Sequence, residues 1–204
     1  VSGRFIVIEG IDGTGKTTLV EALATELRAA GREVVVSYEP TRGPIGSRIR
    51  ALAVSGRESV SVEAEIQLFI DDRTMHQHEV ILPALAADRD VLLDRYFYSS
   101  MAYQGARGGD VRDIERRNRA IAREPDLLVI LELPVDEALR RITHKRGSAP
   151  DLFEGREYLT KVEAIFQTIQ HPRLLRLDAR QATAQLVQQI LTRLQAEPAL
   201  RRDQ

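Results

Sequence analysis

Eight residues constrain this chain more than any others: Gly10-Ile11-Asp12-Gly13-Thr14-Gly15-Lys16-Thr17, lying directly after apolar Phe5-Ile6-Val7-Ile8 and directly before a helical pattern. Three glycines in so short a span let consecutive backbone N–H groups converge, and converging donors at a helix N-terminus make a seat for phosphate. Lys16 adds a mobile positive charge and Thr17 a hydroxyl suited to Mg²⁺. The alternative is a glycine-rich strand-to-helix turn in which Lys16 is solvated and Thr17 helps to cap the helix. The buried-type strand before the loop and the amphipathic helix after it favour the phosphate seat.

The remaining pattern completes an α/β architecture. Leu19, Leu23 and Leu27 recur every fourth residue, with Ala22 and Ala24 beside them, until Gly31 ends the first helix. Val34-Val35-Val36 reads as a second strand running to Tyr38-Glu39-Pro40, and the segment from Pro40 to Gly46 as a loop. Residues 62 to 85 read as one long helix, with Ile66, Phe69, Ile70, Val80 and Ile81 on its apolar face. Val91 to Asp94, Leu127 to Leu131 and Leu174 to Leu177 supply three more strands, and Leu186, Ile190 and Leu194 mark a last helix. Apolar strands separated by helices imply a five-stranded parallel sheet with helices on both faces. One domain over 1–197 is expected, with a polar tail over 198–204, and 204 residues suffice for one substantial core.

The charge balance, 29 basic against 30 acidic side chains, argues against a surface that wraps a polyanion, so no nucleic-acid partner is expected. There is no cysteine, hence no disulfide framework, Cys-ligated zinc or thiol nucleophile. The chain enters a strand almost at once and no apolar run approaches membrane-spanning length, so neither a signal peptide nor an anchor is expected. A soluble cytoplasmic protein without a membrane partner follows as the expectation.

A phosphate seat serves GTPases, motors and small-molecule kinases alike, so the choice falls to residues at the carboxyl ends of the other strands. Asp94-Arg95-Tyr96 ends the third strand: the carboxylate can hold Mg²⁺ and the arginine can fork onto a phosphate, unless the two merely pair with each other. Phe69 and Arg73 are four apart on the long helix and share a face, as a nucleobase pocket needs; singly, they also read as a core ring and a surface cation. Arg140 to Asp151 is a basic stretch between helices that turns loop-like at Gly147, fit for a mobile lid or for a solvated helix end. Glu39, ahead of a proline, faces either the cleft or solvent. His76 and His78 stand two apart on a helix and do not share a metal easily, and His144 and His171 read as isolated.

Taken in order, these segments resemble the thymidylate kinase family of P-loop enzymes, which phosphorylate dTMP with ATP. The match runs from Phe5 to Gly10 through Glu39-Pro40, Leu68-Phe69 to Arg73 and Asp94-Arg95-Tyr96 to Gly105, and ends at Leu177-Asp178-Ala179. The block DRYFYSSMAYQG is its most specific part. The resemblance implies a P-loop NTPase fold with a mobile lid over about 141–154, a homodimer, and Mg²⁺ held by Thr17 and Asp94. ATP would lie on Gly10, Asp12, Gly13, Thr14, Gly15, Lys16, Thr17 and Thr18. Asp12 would meet the 3′-hydroxyl of dTMP and Arg95 its 5′-phosphate, with Phe69 stacked on thymine, Arg73, Ser100 and Gln104 on its polar edge and Tyr103 beneath the sugar. Glu39 would sit by the monophosphate and metal, while Lys16 bridges the two phosphate chains.

With threonine at position 14, the loop carries no arginine; the lid carries Arg141, Lys145 and Arg146, and Arg146 is the first candidate to reach the transferring group. Many family members have an arginine before the Glu-Pro pair and two glycines after it, where this chain has Tyr38 and Thr41-Arg42. A common Asp-Arg pair after the lid reads Asp151-Leu152. The rival readings are another nucleotide or deoxynucleoside kinase, with Glu39 as base toward a sugar hydroxyl, and a nucleotide-binding module without transferase activity. A GTPase switch is disfavoured, since no Asn-Lys-x-Asp signature occurs.

Overall fold

Five parallel strands, β1 (Phe5–Gly10), β2 (Val34–Tyr38), β3 (Asp90–Asp94), β4 (Leu127–Glu132) and β5 (Leu174–Asp178), form one sheet in the order β2-β3-β1-β4-β5. The computed structural model describes residues 3–55, 60–146 and 152–196, and the side chains of 54–55, 145–146 and 152–154 are outside that description. Every residue of β1 is buried, as are nearly all of β3 and β4. Successive side chains on a strand point to opposite faces, so both faces of the central sheet are covered by helices. The outer strands β2 and β5 are only half-buried. In register, Ile8 lies between Asp94 of β3 and Val129 of β4, which brings three strand ends to one rim. The chain leaves β1 toward β2 and leaves β4 toward β5, in opposite directions, so a crevice opens at the carboxyl end of β1.

Helix α1 (Lys16–Ala29) buries Leu19, Leu23 and Leu27 and ends before Gly31, whose φ of +81° is the left-handed turn expected there. After α2 (Pro44–Ser55), the long helix of the sequence reading proves to be three pieces. These are α3 (Val62–His76), a π-helical turn over Gln77–Ile81, and α4 (Leu82–Ala86). Pro83 has no N–H to give to the ladder, and the preceding turn widens so that the Leu82 N–H reaches the Gln77 carbonyl five residues back. The apolar-face expectation for α3 is also corrected: with Ile66 and Ile70 the buried residues include Glu65, Asp72, Arg73 and His76. Helices α5 (Phe97–Ala106), α6 (Val111–Arg119), α7 (Val135–Arg146), α8 (Leu152–Thr168) and α9 (Thr183–Ala196) follow.

The basic stretch from Arg140 onward does not lie between helices; as far as Arg146 it forms the last turns of α7. The expected loop at 147–151 and the tail at 198–204 fall outside the described residues. No described helix is long and apolar enough to cross a membrane. Ile8 is fully buried in the central strand, so Ile8→Ala should cost about 2–5 kcal/mol in urea unfolding.

Candidate active site

The crevice is organised by a carboxylate that the sequence reading passed over. Glu9, fully buried, accepts from the backbone N–H groups of Tyr96 (2.7 Å) and Ser99 (3.0 Å) through Oε1 and from the Ser99 hydroxyl (2.6 Å) through Oε2. These bonds pin the turn after β3, in which Arg95 takes a φ of +69°. The turn separates two neighbours in sequence: Asp94 Oδ2 accepts from the Thr17 hydroxyl (2.6 Å), whereas Arg95 pairs with Asp12 (2.6 Å) and bonds Ser99 Oγ (3.1 Å). Arg95 therefore pairs with the loop rather than with Asp94. Its guanidinium lies 5.1 Å from the Tyr103 ring centre, and the Tyr103 hydroxyl accepts from the Asp12 N–H (3.0 Å).

The loop is folded tightly at the end of β1. Gly10 has a φ of +137° and Gly13 one of +85°, and a Cβ on Gly13 would stand 2.8 Å from the Ala138 carbonyl oxygen. Only glycine combines that torsion with that approach. Thr14 is turned inward, its hydroxyl donating to the Ile11 carbonyl (2.9 Å). Lys16 is buried and donates to the carbonyls of Gly10 (2.9 Å) and Ile11 (2.8 Å). Burial, with Arg95 nearby, pulls its ammonium down to about 8. Gly15 precedes α1, and Thr17 and Thr18 are exposed on its first turn.

Two cavities adjoin these groups. One, of about 300 Å³, is bordered by Asp12, Glu39, Phe69, Arg73, Tyr103 and Gln104, with Arg95 at its edge. Phe69 and Arg73 do share it, as their spacing predicts. The other, of about 440 Å³, is bordered by Thr17, Arg42 and Asp94, and again by Glu39 and Arg95. Asp94 Oδ1 is buried without a hydrogen-bond partner among the described residues. A hydroxyl beside a carboxylate with a spare oxygen is a hard donor set that fits Mg²⁺.

Glu39 faces inward. Its Oε2 accepts from Arg73 Nε (2.8 Å), and its Oε1 lies 3.1 Å from His76 Nδ1. The other ring nitrogen of His76, Nε2, lies 2.8 Å from the Ser37 hydroxyl, so the imidazole bridges the two side chains. Arg73 is no surface cation: it is 1% exposed, bonds Asn118 and the Ser100 hydroxyl (3.3 Å), and lies over the Tyr96 ring. Such a buried pair tolerates the loss of neither partner. His76, three residues after Arg73 and therefore on the same face, was legible in principle; nothing marks Asn118. His171 is not isolated either, lying edge-on to Tyr98 and 3.7 Å from Glu124.

Arg42, which follows the Glu-Pro pair, bonds the Tyr38 hydroxyl and lies over that ring, so the two departures from the family pattern contact each other. In α7, Arg141 pairs with Glu137 (2.7 Å) and donates to the Ala179 carbonyl (3.2 Å). Lys145 and Arg146 close the same helix, with side chains outside the description.

Burial pushes the Glu9 carboxyl up to about 7, against the pull of the Ser99 hydroxyl and Arg95. A carboxyl that holds its proton more tightly when folded favours the native state below its unfolded value and loses that advantage as pH rises to about 7. Glu9→Gln resembles the protonated form, so the stability of the native chain relative to this variant should fall between pH 5 and 7.5. Urea unfolding across that range checks it, and a constant difference would count against it.

Residues 8–190 match the thymidylate kinase family. The chain is 43% identical over 180 residues to a thymidylate kinase of Desulfotalea psychrophila, covering 88% of each chain. It is 45% identical over 203 residues to that of Xanthomonas euvesicatoria, covering 96% of this chain and 88% of the relative. To that of Akkermansia muciniphila it is 48% identical over 177 residues, covering 87% and 84%.

Proposed function

The chain belongs to the thymidylate kinase family and has its activity, the ATP-dependent phosphorylation of dTMP to dTDP; on that premise we propose that the two adjoining cavities hold the acceptor and the reacting phosphates. The observation that carries this reading is that Glu39 and Arg95 border both. The smaller cavity takes dTMP, with Phe69 against the base, Arg73, Ser100 and Gln104 at its polar edge, Tyr103 under the sugar and Asp12 at the 3′-hydroxyl. Arg95 holds the 5′-phosphate at the boundary.

Lys16 leaves the loop carbonyls for the phosphates of ATP, which lie along Gly10, Asp12, Gly13, Thr14 and Gly15 and on Thr17 and Thr18. A phosphate oxygen of dTMP attacks the γ-phosphorus as the bond to the bridging β–γ oxygen breaks, and ADP leaves with that electron pair. A monophosphate dianion is nucleophilic at neutral pH, so the chain supplies alignment and charge rather than a base. Thr17 and Asp94 would hold Mg²⁺, which supplies charge neutralisation on the β and γ oxygens when bound. Glu39, paired with Arg73 and His76, sets the wall between the sites. Arg146, with Lys145 and Arg141, covers the transferring group from the lid, and the chain acts as a cytoplasmic homodimer.

An acceptor panel of dTMP, dUMP, AMP, dCMP and thymidine with ATP and Mg²⁺ tests the reading: dTMP should lead, and a preference for unphosphorylated thymidine would reject it. Arg146→Ala should lower kcat at least tenfold with little change in dTMP affinity, and normal turnover would remove Arg146 from its role. Lys16 binds phosphate as the ammonium, so ATP affinity should weaken as pH rises through about 8. Calorimetry in buffers of different ionisation heat should show proton uptake there.

A further inference from the structure

Gln104 is almost fully buried on the wall of the smaller cavity, and its two amide atoms are not equivalent. Nε2 donates to Glu65 Oε1 (3.2 Å), while Oε1 is buried without a hydrogen-bond partner among the described residues. Glu65 is itself buried, and its second oxygen pairs with Arg107. An ionised carboxylate offers acceptors only, so the amide cannot turn its oxygen toward Glu65 without setting two acceptors face to face. The orientation of Gln104 is therefore decided from behind, and on this cavity-lining side chain the amide atom with unused capacity is the buried carbonyl oxygen.

We propose that Glu65, anchored by Arg107, is a specificity-determining positioning residue: by fixing the Gln104 amide it makes that side chain an acceptor for a base carrying a ring N–H. This rests on the smaller cavity being the acceptor site. Thymine and uracil carry a hydrogen on N3, which the fixed oxygen can accept. Cytosine presents a bare N3, so two lone pairs would meet in a dry pocket and leave Gln104 unsatisfied, the arrangement by which polar sites reject near-isosteres. An unanchored glutamine would escape by turning its NH₂ group toward cytosine N3. The Glu65–Arg107 pair closes that escape without touching the nucleotide.

The test compares native protein with Glu65→Met, which removes the acceptors at similar length, Glu65→Gln, which keeps one, and Arg107→Met. Turnover and KM for dTMP, and dissociation constants for dTMP and dCMP, are measured alongside Tm. Glu65→Met should narrow the dTMP over dCMP preference about tenfold, the worth of one hydrogen bond, chiefly through binding, with kcat for dTMP within about threefold of native. Glu65→Gln should narrow the preference as well, because its single amide oxygen goes to Arg107 and its NH₂ then faces Gln104, and Arg107→Met should narrow it in the same direction. An unchanged preference in Glu65→Met, or a Glu65→Gln variant as selective as native, overturns the proposal. Should Glu65→Met fail to fold, Arg107→Met decides alone, an unchanged preference again overturning it. Native protein that does not phosphorylate dTMP would instead remove the activity beneath it, so the two failures are distinguishable.

Discussion

A single buried carboxylate holds the working end of this fold together. Glu9 closes the central strand, and its two oxygens take three donors from the turn that follows β3. That turn reverses between Asp94 and Arg95, sending one side chain to the helix that starts at the phosphate loop and the other to the loop itself. The arrangement has a cost in solvation, visible in the raised pKa of Glu9, and the donors around it offset part of that cost. Without such a tie, two adjacent residues of opposite charge would pair with each other or with water, and the division between the cavities would blur.

The second organising element is polar and equally dry. Glu39, Arg73, His76, Asn118 and Ser100, with half-buried Ser37 at the edge, form one connected set in which each partner satisfies another. A buried network of this kind is stabilising only when it is complete, and completeness fixes its geometry. The Arg73 guanidinium beside the smaller cavity is consequently a fixed part of its wall. Glu65 of α3, Gln104 of α5 and Arg107 just after it make a smaller polar set that leaves the Gln104 carbonyl oxygen without a partner among the described residues.

Much of this was legible in the residues and some was not. Apolar runs at 5–8, 91–93 and 127–131 announced a parallel sheet because strands buried on both faces have no polar option. The glycines and Lys16 announced the phosphate seat through their spacing. What sequence patterning handled badly was polarity inside: a rule that turns charged residues outward misplaces Arg73, Glu65 and Asp72, whose partners lie 34, 42 and 31 positions away. Arg73 and Phe69 were found by helical spacing; Glu39 stayed undecided because its orientation depends on those distant partners. The widened turn at 77–81 has only Pro83 as a local sign, and a proline near a helix start is ordinary. The basic segment from Arg140 reads as lying between helices because nothing in its composition distinguishes the last turns of a helix from a connecting segment.

The back of the phosphate loop has one more consequence. With the Ala138 carbonyl lodged where a Gly13 side chain would begin, and Thr14 folded inward, neither position offers a long cationic side chain an outward path. On the proposed function, capture of the triphosphate and completion of the charge around the migrating phosphorus then fall to separate pieces of polypeptide. The loop itself holds Lys16 on its own Gly10 and Ile11 carbonyls, so on that reading the first site changes its hydrogen bonds when the triphosphate arrives, before the second piece is engaged.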